Sequence, residues 1–246
     1  MSVLNYLTMV EITCPKHGHK TVAQIFMPDG TRATGRCQDC QAEDPRENTA
    51  TYNPQAATEE HTRRLTEQAN IPAIYAEASF QSFRIVNENM MHVVTRCREL
   101  IDGTLLFLIL TGTVGVGKTH LAVACVQDAI SRGLSALYVK EADMLGEIKE
   151  ALGEKGSSDR RVIRKFSGYD LLVVDEMSKR DHSTYDTAAM FDIIDNRFMA
   201  KRRTIFAGNL NGDELKAHFT EPMQSRIKQR GRIGQIIEAD WRTANA

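Results

Sequence analysis

The 246-residue sequence predicts an α/β protein, a five-stranded parallel sheet between helices, preceded by a small cysteine-bearing module. Three observations predict it. From about residue 70, short β-branched or leucine-rich runs alternate with amphipathic stretches, the pattern of βαβ units. Gly112 to Thr119 has the spacing of a loop that cradles phosphates between a strand and a helix. Three of the five cysteines fall before residue 43, where no long helical period is present. At 42% hydrophobic and 26% charged, the chain can bury a full core, which excludes disorder, collagen and coiled coil. The longest apolar run, Leu105 to Leu110, is far short of the roughly 20 residues a bilayer span needs. No basic stretch followed by an apolar core opens the chain, and the odd cysteine count fits a reducing cytoplasm. With a formal net charge of −1, any nucleic-acid partner must be held by a local basic surface.

Residues 1–43 read as an independent module. Cys14-Pro-Lys-His17 and Cys37-Gln-Asp-Cys40 are two ligand pairs with two-residue spacers, the arrangement of a tetrahedral zinc site. A strand-like run, Thr21 to Phe26, and a turn at Gly30 predict a hairpin between the pairs, giving a zinc-ribbon-like fold. His19 competes with His17, and the alternatives are unrelated buried thiols or a redox pair at Cys37 and Cys40. Four protein ligands leave no open coordination position, so this module is expected to bind protein or DNA. Residues 44–69 follow as a polar linker broken by Pro45 and Pro54 and a charged helix over 58–70. Cys97 and Cys125 sit in apolar helical contexts and are expected in the core.

The second domain, 70–246, has strand candidates at 105–110, 135–139, 170–174, 204–207 and 235–238. Met144, Leu145, Ile148, Ala151 and Leu152 share one helical face, as do Met190, Ile193, Ile194 and Phe198. Both crossovers are therefore expected to be helical. A short segment, 159–166, carries Arg160, Arg161, Arg164 and Lys165.

Gly112-Thr113-Val114-Gly115-Val116-Gly117-Lys118-Thr119 matches G-x-x-x-x-G-K-[ST], follows an apolar strand and opens a helix at His120. Its glycines allow backbone N–H groups to turn toward phosphate oxygens, and the helix N-terminus adds partial positive charge. Lys118 is expected to reach the β- and γ-phosphates, and the Thr119 hydroxyl to bind Mg²⁺. Leu171 to Val174 reads as a buried strand ending in Asp175 and Glu176. Asp175 would hold Mg²⁺ and Glu176 would activate a water, which is the chemistry of ATP hydrolysis. Asn209, at the end of the fourth strand, is placed to position that water or to form a plain turn. Arg226, Lys228, Arg230 and Arg232 offer either a finger donated across a subunit interface or a solvated basic face.

The loop, the LLVVDE run, the asparagine of FAGNLN and the MQSRI segment, in this order, resemble the DnaC-type replicative helicase loaders. These are AAA+ ATPases related to DnaA, and the resemblance covers roughly residues 70–246. It implies an AAA+ P-loop fold without a helical lid domain. Gly112 to Thr119 and His120 then form the nucleotide site, Lys118, Asp175 and Glu176 the Walker residues, and Asn209 sensor 1. Arg226 matches the arginine finger and Arg242 resembles the sensor 2 arginine. The resemblance further implies an ATP-dependent oligomer that loads a hexameric DnaB-type helicase on single-stranded DNA. Lys179, Arg180 and the basic 160–165 segment are candidates for the DNA surface, or for solvated charge. The alternative function is an IstB-type transposition helper acting on duplex DNA. The cysteine module departs from the family's helical N-terminal part.

Overall fold

The computed structural model describes residues 7–26, 32–34, 54–153, 159–179 and 182–237. The chain divides into two compact units, Met1–Thr58 and Glu59–Ala246. In the first, β1 (Leu7–Cys14), β2 (Gly18–Phe26) and β3 (Arg32–Thr34) form an antiparallel sheet in that order. β2 and β3 are the hairpin expected around Gly30, which lies outside the described residues. β1 was not expected. Its signal is the alternation of Val10, Ile12 and Cys14, all less exposed than Glu11 and Thr13 between them.

The second unit holds five parallel strands in the spatial order β5-β6-β7-β4-β8. They are β4 (Phe107–Gly112), β5 (Ala136–Lys140), β6 (Leu171–Met177), β7 (Arg203–Gly208) and β8 (Gly231–Ile236). The helices are α1 (Pro54–Gln68), α2 (Glu88–Ile101), α3 (Lys118–Ser131), α4 (Glu141–Gly153), α5 (Asp159–Gly168), α6 (Thr184–Met199), α7 (Gly212–His218) and α8 (Glu221–Arg230). Alternate strand residues serve two cores. Leu108, Leu110, Val173, Ile205 and Ala207 pack with Val94 and Cys97 of α2 and Leu121 and Cys125 of α3. Phe107, Ile109, Leu172, Val174 and Phe206 face Ile148 of α4, Phe166 of α5, Ile194 of α6 and Met223 of α8. Cys97 and Cys125 are core residues, as expected.

Two expectations need adjustment. The fifth strand, expected at 235–238, is Gly231–Ile236 and starts where α8 ends. A side chain at Gly231 would meet Phe107 Cβ at 3.0 Å, and one at Gly234 would meet Val93 at 3.1 Å. The strand is held by close backbone approach at both glycines, and an apolar side chain enters the core only at its end, with Ile236, so its first residues carry no apolar signal. The charged helix grouped with the linker begins at Pro54, and near its C-terminal end Leu65 and Ala69 enter the core of the second unit. Tyr138 N donates to Ala69 O at 2.8 Å, and Asn70 Nδ2 donates to Tyr138 O at 3.1 Å. This segment covers the edge strand β5.

Candidate nucleotide site

The site forms at the carboxyl ends of β4, β6 and β7, where a parallel sheet presents its crevice. The loop from Gly112 to Gly117 leaves β4 and delivers Lys118 as the first residue of α3. Gly117 sits at φ +96°, and a Cβ there would lie 2.7 Å from Phe83 Cε2, so geometry and space both demand glycine. Lys118, 9% exposed, lays its ammonium across the loop, donating to Gly112 O at 2.9 Å and Thr113 O at 2.6 Å. His120 Nε2 lies 3.1 Å from both Ser79 O and Ser82 Oγ, and its ring packs on Phe83. Its side chain thus ties the 79–83 turn to α3, leaving only its backbone N–H to the loop.

Thr119 Oγ1 donates to Asp175 Oδ2 at 2.8 Å, which joins the loop to the end of β6. Tyr138 OH, from the middle of β5, donates to the same oxygen at 2.8 Å, while Glu176 N donates to Asp175 Oδ1 at 2.7 Å. Burial first, and then the Asp175 carboxylate, push the Tyr138 phenol far above its usual range, so it remains a donor. A carboxylate and a hydroxyl in contact at a sheet edge are the hard oxygen donors that Mg²⁺ prefers.

Glu176 follows with φ +57°, unusual for a side chain of this kind. Between Val174 and Met177 the pairing of β6 with β7 shifts register. Such a bulge re-aims a side chain next to a site. Here it leaves Asp175 buried and Glu176 exposed, 2.9 Å from Lys140 Nζ. Hydrogen bonding to Glu176 holds the Lys140 ammonium above its usual range. Asn209 follows Gly208, which pairs with Met177, so it stands exposed at the same edge as the two carboxylates. Tyr138 and Lys140 were missed by sequence reasoning. The signal that could have found them is strand register, because β5 pairs Lys140 with Asp175.

The remaining candidates lie elsewhere. Arg226 Nε bonds Asp195 Oδ1 of α6 at 2.6 Å, and the guanidinium stacks over Phe191 at 5.1 Å. Within one chain Arg226 therefore braces α8 against α6. Lys179 is 83% exposed and 3.8 Å from Glu214. Arg160, Arg161 and Arg164 are exposed on α5, and Lys165 pairs with Glu147 at 2.7 Å. Arg180, Arg242, Cys37 and Cys40 lie outside the described residues. In the first unit, Cys14 Sγ is 3.7 Å from His17 Nδ1, whereas His19 Nδ1 contacts Thr13 Oγ1 at 3.4 Å. A shared zinc ion, about 2.3 Å from sulfur and about 2.0 Å from nitrogen, leaves two tetrahedral ligands about 3.5 Å apart. The Cys14–His17 separation is close to that value.

A phosphate loop after one parallel strand and a carboxylate pair at the end of a strand two places away define an ATP-binding domain of the AAA+ P-loop class. The chain belongs to the family described as IstB-like ATP binding protein, which matches residues 54–229. It is homologous to the replicative helicase loader DnaC. It is 29% identical to that of Escherichia coli strain K12 over 178 residues, 71% of each chain. To DnaC of Buchnera aphidicola subsp. Baizongia pistaciae it is 30% identical over 187 residues, 74% of this chain and 73% of the relative. The crystal structure of the DnaC helicase loader superposes with a TM-score of 0.59 at 20% identity, covering 68% of this chain and 100% of that one. The fold is therefore the DnaC AAA+ domain. No described helix is long and apolar enough to cross a membrane.

Proposed function

We propose that this protein is a Mg²⁺-dependent ATPase that loads a hexameric DnaB-type replicative helicase onto single-stranded DNA. The observation that carries the reading is the similarity to DnaC loaders across 71% of the chain, together with an intact loop-to-carboxylate contact through Thr119 and Asp175. The loop amides and Lys118 hold the β- and γ-phosphates. Thr119 and Asp175 hold Mg²⁺, which supplies neutralising charge for the leaving group. Glu176 accepts a proton from the attacking water, and Asn209 orients that water. Arg226, released from Asp195, reaches the γ-phosphate of a neighbouring subunit and makes turnover depend on assembly, and Arg242 completes the nucleotide pocket. Lys179 and Arg180 contact the DNA backbone. Cys14, His17, Cys37 and Cys40 hold a structural zinc ion in a module that binds protein or DNA.

The test is capture of the replicative helicase of the same host by the full chain with ATP and with ADP, followed by ATPase rates with single-stranded and duplex DNA. A nucleotide-dependent helicase complex with turnover stimulated by single strands is expected. Absence of a complex, with stimulation by duplex DNA alone, would assign the protein to the transposition-helper branch.

A further inference from the structure

Three side chains unused by ATP chemistry converge below the edge that carries the Walker carboxylates. Glu141 is the first residue of α4, His182 lies between β6 and α6, and His218 is the last residue of α7. Their ligand atoms all lie within 4.8 Å of one another. His218 Nε2 is 2.7 Å from Glu141 Oε1, and His182 Nε2 is 3.8 Å from Glu141 Oε2. The Glu141, His182 and His218 side chains are 1%, 9% and 2% exposed.

A plain histidine–carboxylate pair accounts for half of this arrangement. It leaves Glu141 Oε2 and His182 Nε2, both buried, without a hydrogen-bond partner among the described residues. Two orphaned polar atoms aimed at each other in a buried site are costly, and each calls for a ligand. A tetrahedral ion about 2.0–2.1 Å from each donor separates its ligand atoms by about 3.3 Å. The three donor atoms lie within 4.8 Å of one another, close enough for an ion to draw them to that separation. The backbone is fixed for the purpose: Ser183, next to His182, caps α6 in a reciprocal box with Asp186. A cavity of about 330 Å³, lined by His182, His218, Lys179, Thr187, Glu214 and Thr220, adjoins the cluster and has room for water as a further ligand.

We propose that Glu141, His182 and His218 bind a divalent transition-metal ion of the zinc class, tying together the segments that follow β5, β6 and β7. Two imidazoles and one carboxylate suit zinc and cobalt(II), and not Mg²⁺ or Ca²⁺. The site contains no thiolate and is separate from the ligand set of the N-terminal module. Its place explains its use. Glu141 follows Lys140, which pairs with Glu176, and His182 lies on the segment leaving that same strand. An ion there fixes the chain that leaves the Walker carboxylates and carries Lys179.

The test uses the full chain with Cys14, Cys37 and Cys40 changed to Ser, stripped of metal and kept in excess Mg²⁺ so that oxygen-only sites are filled. Titration with Co²⁺ should give one equivalent with visible d–d bands and without a thiolate charge-transfer band. Adding His182→Asn to this variant should remove those bands and weaken Co²⁺ binding at least about 10-fold. The two proteins should melt alike in EDTA, since His182 Nε2 makes no hydrogen bond in the unliganded site. Addition of Zn²⁺ should raise the melting temperature only where His182 is present. Absence of d–d bands and of a zinc-dependent rise in the Cys→Ser variant would overturn the proposal, and this holds even if the His182→Asn protein does not fold. Equal Co²⁺ affinity with and without His182 would overturn it as well.

Discussion

Tyr138 and Thr119 share one acceptor, Asp175 Oδ2, each at 2.8 Å. The tyrosine hydroxyl, bonded to that carboxylate, sets the direction in which it points. Tyr138→Phe keeps the ring in the core and deletes the orienting hydrogen bond. Outer-shell partners of this kind are worth about 10-fold or more in metal affinity. We therefore expect the Mg²⁺ concentration for half-maximal ATPase to rise about 10-fold while ATP binding without Mg²⁺ is unchanged. A magnesium titration that overlays the wild type would remove Tyr138 from the site. Glu176→Gln preserves the bulge and removes the base, so ATP binding should persist while kcat falls at least about 100-fold. Normal turnover would place the base elsewhere. Lys118, Thr119, Asp175 and Glu176 were legible in the sequence because phosphate contact imposes a fixed glycine spacing and a fixed strand end. Tyr138 was not, because its role arises only when β5 pairs with β6.

At the scale of elements, helix faces were readable from apolar periodicity, which says nothing of a charge that falls on the apolar face. Arg197 occupies the stripe of Met190, Ile193 and Ile194 in α6 and is fully buried. Burial and the Arg202 charge push its guanidinium down to about 9, still above neutrality, so it stays cationic at pH 7. It donates to Phe166 O at 3.0 Å, Tyr169 O at 2.8 Å and Thr204 Oγ1 at 2.8 Å, and also to Arg203 O. Phe166 O and Tyr169 O lie at and just beyond the last turn of α5, where helix carbonyls lack intrahelical partners. Arg197→Met fills similar volume but orphans them, and urea unfolding should show a loss of about 3 kcal/mol or more. A smaller loss would mean that water replaces the guanidinium. The N-terminus of the same helix gives a pH dependence. Burial alone would raise the Asp186 carboxyl, but Lys149 Nζ at 2.9 Å and the hydrogen bonds from Ser183 outweigh it and hold it below its usual range. A depressed carboxylate contributes stability that is complete above its unfolded pKa, about 3.9, and is lost as pH falls through the folded value. Asp186→Asn should thus cost about 1 kcal/mol at pH 7, and the gap to wild type should close below about pH 4. A gap independent of pH would show that the capping geometry, and not the charge, is what stabilises α6.

At the scale of the whole molecule, composition placed the boundary between module and ATPase domain by polarity, and polarity is a poor guide where a charged helix buries only one edge. From Glu59 on, α1 is largely solvated among the described side chains: Arg63, Arg64, Glu60 and Glu67 form exposed pairs that contribute little. Yet Leu65 and Ala69 are in the core, and the backbone at Ala69 and the amide of Asn70 close the free edge of β5 beside Tyr138. The family match also begins at residue 54. Two truncations separate the possibilities. A fragment of residues 54–246 keeps α1 and should bind ATP as the full chain does. A fragment of residues 71–246 loses the burial of Leu65, worth about 1.5–3 kcal/mol, together with two hydrogen bonds to Tyr138. Its melting temperature should lie at least about 5 °C below that of the longer fragment, since about 2–4 °C accompanies each kcal/mol at this size. Because Tyr138 orients Asp175, the shorter fragment should also need more Mg²⁺ for turnover, reproducing in part the effect of Tyr138→Phe. Equal melting and equal magnesium curves for the two fragments would show that α1 only connects the units and that the ATPase core begins after Asn70.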